Sequence, residues 1–186
     1  MKKIFVLLLV LLLFSGCSKN DYSKLYDLET YNCDMSSYEG LENVEHVFVG
    51  TTVSELKRLI DEKGYGVFAF SSKYCSHCQI AMQYLNEVAK ELNVTMFYID
   101  GTSQEYPIQN TDNYDILFDI LYDTLNEGPD GKEIQTPEIF SVIDGEIKDY
   151  QVGTTWNGLE YDDKDIDNLK DVYRRILTPF VKQSQD

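Results

Sequence analysis

Residues 71–85 read SSKYCSHCQIAMQYL, and Cys75 and Cys78 within them stand at the junction of two differently patterned stretches. Before them, YGVFAFSS (65–72) is a short apolar run with the length and aromatic character of a buried strand. After them, Ala81, Tyr84, Leu85, Val88 and Leu92 recur at helical spacing. A Cys-x-x-Cys pair at such a joint can hold a metal, brace the fold or pass electrons. A zinc site needs four ligands, and the remaining candidates, Cys33, His46 and His77, lack the spacing of a ribbon or finger. An inert disulfide is chemically the same bond as a redox-active one, so only its potential separates those two readings.

Outward from this joint the pattern alternates. HVFVG (46–50) is a short strand, and TTVSELKRLIDEKG (51–64) carries helix signals: Thr52 and Glu55 in capping-box spacing, Val53, Leu56 and Ile60 on one face, Gly64 as a stop. VTMFYID (94–100) is a third strand. The order strand, helix, strand, helix, strand argues for a partly parallel sheet with helices on both faces. Further on, Ile116, Leu117, Ile120, Leu121 and Leu125 line one side of a helix from about Asp112 to Asn126, ended by Gly128 and Pro129. Residues 133–153 form two strands joined at Asp144 and Gly145, a dipeptide suited to a type I′ turn. Ile166, Leu169, Tyr173 and Ile176 mark a last helix. The fold class expected is α/β, a mixed central sheet of about five strands flanked by helices on both faces, in one domain over residues 44–186.

The N-terminus addresses location. Lys2 and Lys3 precede an unbroken apolar run, Ile4–Phe14, and then Ser15, Gly16 and Cys17. A basic stretch, a short apolar stretch and small residues make the shape of a secretory signal, too short to span a membrane as a helix, which needs about 20 residues. The segment resembles a bacterial lipoprotein signal, with Phe14 in place of the usual leucine, which implies cleavage after residue 16 and lipidation of Cys17. The protein is then expected at the extracytoplasmic face of the cell membrane, anchored by lipid. Residues 17–43, polar and rich in tyrosine, are expected as a tether or N-terminal extension. Loss of residues 1–16 removes two lysines and no acid, taking the formal net charge from −16 to −18. Such a surface repels nucleic acid and anionic lipid alike, which excludes nucleic acid as a partner.

The Cys-x-x-Cys between a second strand and second helix, the Thr136-Pro137 pair opening a later strand, the hairpin, Gly153 and the terminal helix together resemble the thioredoxin superfamily, from Val44 to Phe180. The resemblance implies a thiol-disulfide oxidoreductase without metal or organic cofactor. It also implies that Pro137 is cis and that Thr136 offers backbone groups to an extended substrate. A histidine before the second cysteine resembles the oxidases and isomerases of oxidising compartments. Two positions depart from the family pattern: Ala69 stands where a buried acid commonly helps the second cysteine release its proton, and Gln83 where a proline often kinks the helix. Accessory proteins of bacteriocin export resemble the chain in architecture.

The physics of the motif assigns roles independently. A cysteine at the first turn of a helix meets unpaired N–H groups and the positive end of the helix dipole, which favour thiolate. Cys75 is therefore expected as the nucleophile and Cys78, one turn deeper, as the resolving thiol. His77, when protonated, is expected to stabilise the Cys75 thiolate further. Cys33 is the odd thiol once Cys17 is lipidated, free or partnered elsewhere. Trp156 is expected to pack after the hairpin. The partners expected are cysteine-containing exported proteins or peptides and a membrane redox partner. Two rivals remain: a reductase fed by a membrane electron donor, and a binding module that uses the groove near Pro137 without turnover.

Overall fold

The computed structural model describes residues 21–182 apart from Asn110. Cys17 and the signal segment lie outside the described residues. Seven strands, β1 (Phe48–Gly50), β2 (Gly66–Ser71), β3 (Met96–Asp100), β4 (Glu127–Gly128), β5 (Gly131–Lys132), β6 (Glu138–Ile143) and β7 (Glu146–Val152), alternate with four α-helices. These are α1 (Val53–Asp61), α2 (Ser76–Leu92), α3 (Asp112–Leu121) and α4 (Asp163–Leu177), the last followed by a 3₁₀ turn, Thr178–Phe180.

Local chemistry sets the ends of these elements. Thr52 caps α1 by accepting the Glu55 N–H, while the Glu55 carboxylate turns away to Arg58 and to the Glu29 N–H, so the reciprocal half of the expected capping box is not made. Asn93 ends α2 in the left-handed conformation with its N–H on the Ala89 and Lys90 carbonyls. Asp162 and Asp165 close a full capping box at α4. Asp144 and Gly145, at φ of 56° and 75°, make the primed turn between β6 and β7.

The main sheet runs β1-β3-β2-β6-β7, with β1, β3 and β2 parallel and β6 and β7 antiparallel. Helices α2 and α4 cover one face over a core that includes Cys78, Met82, Leu85, Leu169 and Tyr173. Helices α1 and α3 cover the other over Leu56, Phe68, Phe97, Leu117 and Phe140. Strand β2, central and buried on both faces along its whole length, is why residues 66–71 read as a continuous apolar run rather than an alternating one. The chain is thus α/β, with the mixed five-stranded sheet and the helices on both faces that were expected.

Two expectations are corrected. Residues 21–43, expected as a tether or N-terminal extension, are no free tether but are built into the core: Met35 and Tyr38 are each 1% exposed, Leu41 is buried with them, and Leu28 joins the opposite cluster. Tyr31 also exchanges both backbone hydrogen bonds with Gly50, at 2.9 and 2.8 Å, and so covers the free edge of β1. Gly50 is required there, because a Cβ would stand 2.3 Å from the Tyr31 ring. The segment has no helical or strand period, so its burial left no periodic trace in the sequence.

The second correction concerns α3, which stops at Leu121, five residues before the expected end. The Thr124 hydroxyl and N–H and the Leu125 N–H all converge on the Leu121 carbonyl, the hydroxyl at 2.7 Å, and the chain then turns into the small β4–β5 hairpin at Pro129 and Asp130. The same hydroxyl lies 2.5 Å from Oε1 of Glu138, a carboxyl with no solvent exposure whose Oε2 has no partner. One hydroxyl proton cannot serve both acceptors, so a protonated Glu138 donating to Thr124 fits the pair. Burial pushes Glu138 up to about 7, above the ordinary carboxyl range.

Met35→Ala should lower unfolding free energy by about 2–5 kcal/mol in urea titration, since a fully buried side chain is lost from a core the reading of a tether would leave untouched. Because folded Glu138 holds its proton to higher pH than the unfolded chain does, stability falls as pH rises from about 4.5 to about 7. Glu138→Gln should therefore stabilise the protein at pH 8 relative to pH 5, by on the order of 1–3 kcal/mol in the same titration.

Candidate functional site

The register of the sheet assembles the site. Strand β2 ends at Ser71, one short turn before α2, and its Phe70 pairs with Glu138 of the antiparallel β6. Residues 136 and 137, which lead into β6, are therefore carried to the N-terminus of α2. The Thr136–Pro137 peptide is cis. The Cys75 thiol lies 3.3 Å from the Thr136 carbonyl oxygen, across 61 residues of sequence.

Cys75 is itself the N-cap of α2. Its backbone is extended, at φ −89° and ψ 121°, and its sulfur accepts the Cys78 N–H at 3.3 Å. The thiol is half-buried and Cys78 is fully buried; neither is in a disulfide. Cys75 is lowered to about 5, first of all by the hydrogen bond the Cys78 thiol offers its thiolate. Partial burial works against this, while Thr136 and the N–H groups of Cys78 and His77 add to it. Cys78 moves the opposite way, well above the ordinary thiol range, because burial disfavours its charged form and because it serves as the donor to Cys75. One sulfur is thus poised as thiolate and its neighbour held as thiol.

His77 is placed differently from the expectation. Its Nδ1 lies 3.1 Å from the Thr154 hydroxyl, which in turn donates to the Trp156 carbonyl at 3.1 Å. With the single Thr154 proton spent on that carbonyl, His77 Nδ1 is the donor. What reaches Cys75 from this residue is its backbone N–H. The ring instead helps wall a groove of about 550 Å³ beside the cysteines, lined also by Thr136, Thr154 and Trp156. Trp156 packs partly against the core, as expected, and lies tilted against Tyr161 with ring centroids 5.1 Å apart; its buried Nε1 has no partner.

Helix α2 runs unbroken through Gln83, where the N-terminal segment crosses it: a Cβ on Gly40 would stand 2.7 Å from the Gln83 amide oxygen. Gln79 clamps the same segment, accepting the Glu39 N–H at 2.8 Å and donating to the Ser37 and Lys73 carbonyls. Sequence reading did not place residues 37–40 at the site, and the only local hint was a helix face carrying two glutamines. Cys33 is a free thiol within 3.5 Å of the Phe48 carbonyl, pushed up to about 11 by burial. His46 makes no contact with the cysteines and packs at 6.0 Å on Phe48. Among the described residues, no three His, Cys, Asp or Glu side chains converge as a cation site.

No protein-family model and no curated protein sequence matches the chain. Solved structures do. Thioredoxin O2 from Arabidopsis thaliana in its oxidised state is 16% identical with a TM-score of 0.43, the match covering 75% of this chain and 98% of that one. The thioredoxin of Trypanosoma brucei brucei is 15% identical, TM-score 0.44, over 73% and 96%. That of Aeropyrum pernix is 18% identical, TM-score 0.39, over 66% and 85%.

Alkylation of Cys75 by iodoacetamide, mapped by mass spectrometry, should rise with pH through about 5 and be flat by pH 7, because the thiolate and not the thiol reacts. Cys33 and Cys78 should stay unmodified under the same conditions, and His77→Ala should leave the Cys75 midpoint close to its original position.

Proposed function

We propose that this protein is an extracytoplasmic, membrane-tethered thiol-disulfide oxidoreductase that exchanges disulfides with cysteines of exported proteins. The observation that carries the reading is the Cys75 sulfur: capping a helix, lowered well below an ordinary thiol, open to one side, with a buried thiol one turn behind it. In the reducing direction the Cys75 thiolate attacks a substrate disulfide, forming a mixed disulfide and releasing one substrate thiolate. Cys78 loses its proton and attacks Cys75 Sγ; the Cys75–Cys78 bond closes and the second substrate thiolate leaves. The pair is oxidised by two electrons and the substrate reduced by two. The reverse sequence makes a disulfide in a substrate dithiol.

A stabilised Cys75 thiolate favours the reduced pair, so the disulfide form is the oxidant and the reverse direction is the favoured one. Thr136 and Pro137 present backbone groups to an extended substrate beside the groove that His77 and Trp156 line. The location rests on residues 1–17, with Cys17 as the lipidated anchor. Among the described residues no helix is long and apolar enough to cross a membrane.

The test is the reduction potential of the Cys75–Cys78 pair in the full chain with Cys17 and Cys33 replaced by serine, titrated against glutathione and dithiothreitol. A value of about −120 to −180 mV is expected; one near about −270 mV would make the protein a reductase, and resistance below about −300 mV would make the bond structural. Cys75→Ser should abolish exchange.

A further inference from the structure

The resolving step asks a fully buried thiol to lose its proton, and the acid expected beneath it is absent: position 69 is a buried alanine. The register of the parallel pair β2–β3 places Tyr98 directly beside Ala69 on the same face of the sheet. The phenol of Tyr98 lies 2.8 Å from that of Tyr38, which donates to the Ser71 hydroxyl at 3.0 Å. Ser71, at the end of β2, stands beside the Cys78 sulfur, and its hydroxyl favours the charged form of that thiol against the cost of burial. Four side chains from three parts of the chain therefore form one line: Cys78, Ser71, Tyr38, Tyr98. All four are buried, yet the line does not end in the core. Tyr38 and Tyr98 also line a pocket of about 260 Å³ that reaches the surface between Lys73, Asp100 and Glu105.

We propose that Ser71, Tyr38 and Tyr98 form a hydroxyl relay that carries the proton between Cys78 and this pocket, in place of a buried carboxylate. The inference rests on the exchange reaction proposed above. The Tyr38 hydroxyl first turns from Ser71 to Tyr98 and the Ser71 hydroxyl turns to Tyr38; the Cys78 thiol then gives its proton to Ser71 Oγ, Ser71 passes its own to Tyr38, Tyr38 passes its own to Tyr98, and Tyr98 releases one to water in the pocket. Each hydroxyl ends neutral with its hydrogen bond reversed, and the Cys78 thiolate attacks Cys75 Sγ while the substrate thiolate departs. In the opposite direction the proton returns along the same line as Cys78 leaves the disulfide. Ser71 is the residue that touches the reacting thiol; the tyrosines act through it.

The groups facing this line are few. Cys78 also meets Cys75 and, from α4, Tyr173, whose buried hydroxyl has no hydrogen-bond partner. Tyr98 meets Asp100 and Cys33. Asp100 Oδ1 accepts the N–H and the hydroxyl of Thr102. Tyr38 belongs to the N-terminal segment, so that segment supplies part of the chemistry as well as part of the core.

The experiment separates the two thiol steps with one equivalent of 5,5′-dithiobis(2-nitrobenzoate) on the full chain carrying Cys17→Ser and Cys33→Ser. Attack by Cys75 releases the first thionitrobenzoate and resolution by Cys78 the second, followed by stopped flow across pH 5–9. Tyr38→Phe should leave the first phase unchanged, which also reports that the fold is intact. It should slow the second by at least about tenfold at pH 7 and move its acceleration to higher pH, where hydroxide takes the proton directly. Tyr98→Phe carries the same test should Tyr38→Phe fail to fold, and Tyr173→Phe is the matched control, removing an unpartnered hydroxyl beside the same thiol. A second phase with unaltered rate and pH profile in the relay variants overturns the relay while leaving the exchange reading intact. Equal slowing by Tyr173→Phe overturns it too, as an effect of packing. Failure of the parent chain to release a second equivalent sinks the exchange reading itself.

Discussion

The first N–H groups of a helix have no intrahelical acceptor, and in this protein sulfur answers one of them. The Cys78 N–H points at the Cys75 Sγ that caps the helix, so the same contact finishes the helix and adds to the acidity of the thiol. Much else serves to hold that cap where it is. The buried strand β2 delivers the chain to it, the β2–β6 register brings the Thr136 carbonyl to the sulfur's other side, and the two faces of core fix the sheet against α2. A capping oxygen would end the helix as well, and usually does. Sulfur at that position makes a structural requirement double as a chemical one.

How far this was legible depends on the kind of signal each part leaves. Elements with a period declared themselves: β2 as a solid apolar run, α2 and α4 by their 3.6-residue stripes, the β6–β7 turn by Asp144-Gly145. The cysteines and Thr136-Pro137 were legible because they sit at fixed points of that pattern. What stayed hidden is non-periodic. Met35, Tyr38 and Leu41 are single anchors in irregular backbone, buried by contacts with residues far along the chain, and their neighbours are polar because the rest of the segment faces water. Likewise the apolar stripe of α3 continues to Leu125 in space, since Leu125 is buried, although the helix has already ended; the stripe reports burial and not the backbone. The orientation of the His77 ring depends on Thr154, 77 residues away, and no local pattern could supply it.

Ala69 shows how a departure from a family pattern is to be weighed. Read along the chain it is a missing acid. Seen across the sheet it is a small side chain next to Tyr98, and beside that pair lies Tyr38 with its ring edge-on at 6.3 Å. The space a carboxylate would need is taken by two phenols, one of them from a segment outside the minimal fold. Polarity at the base of the site is thus kept by neutral groups, which need no counter-charge when buried and carry a smaller desolvation cost than an ion would.

The embedding of residues 21–43 also orders events in time. This segment leaves the ribosome before any of the strands it packs on, and Tyr38 contacts residues 33 and 60 positions later, Ser71 and Tyr98. Contacts of that separation close late, after the loop entropy between them has been overcome by the intervening β2-α2-β3 unit. Met35, Tyr38 and Leu41 must therefore wait exposed until the sheet exists to receive them. The cysteine pair lies inside that unit, whose closure spans less of the chain than the closure of the segment over it.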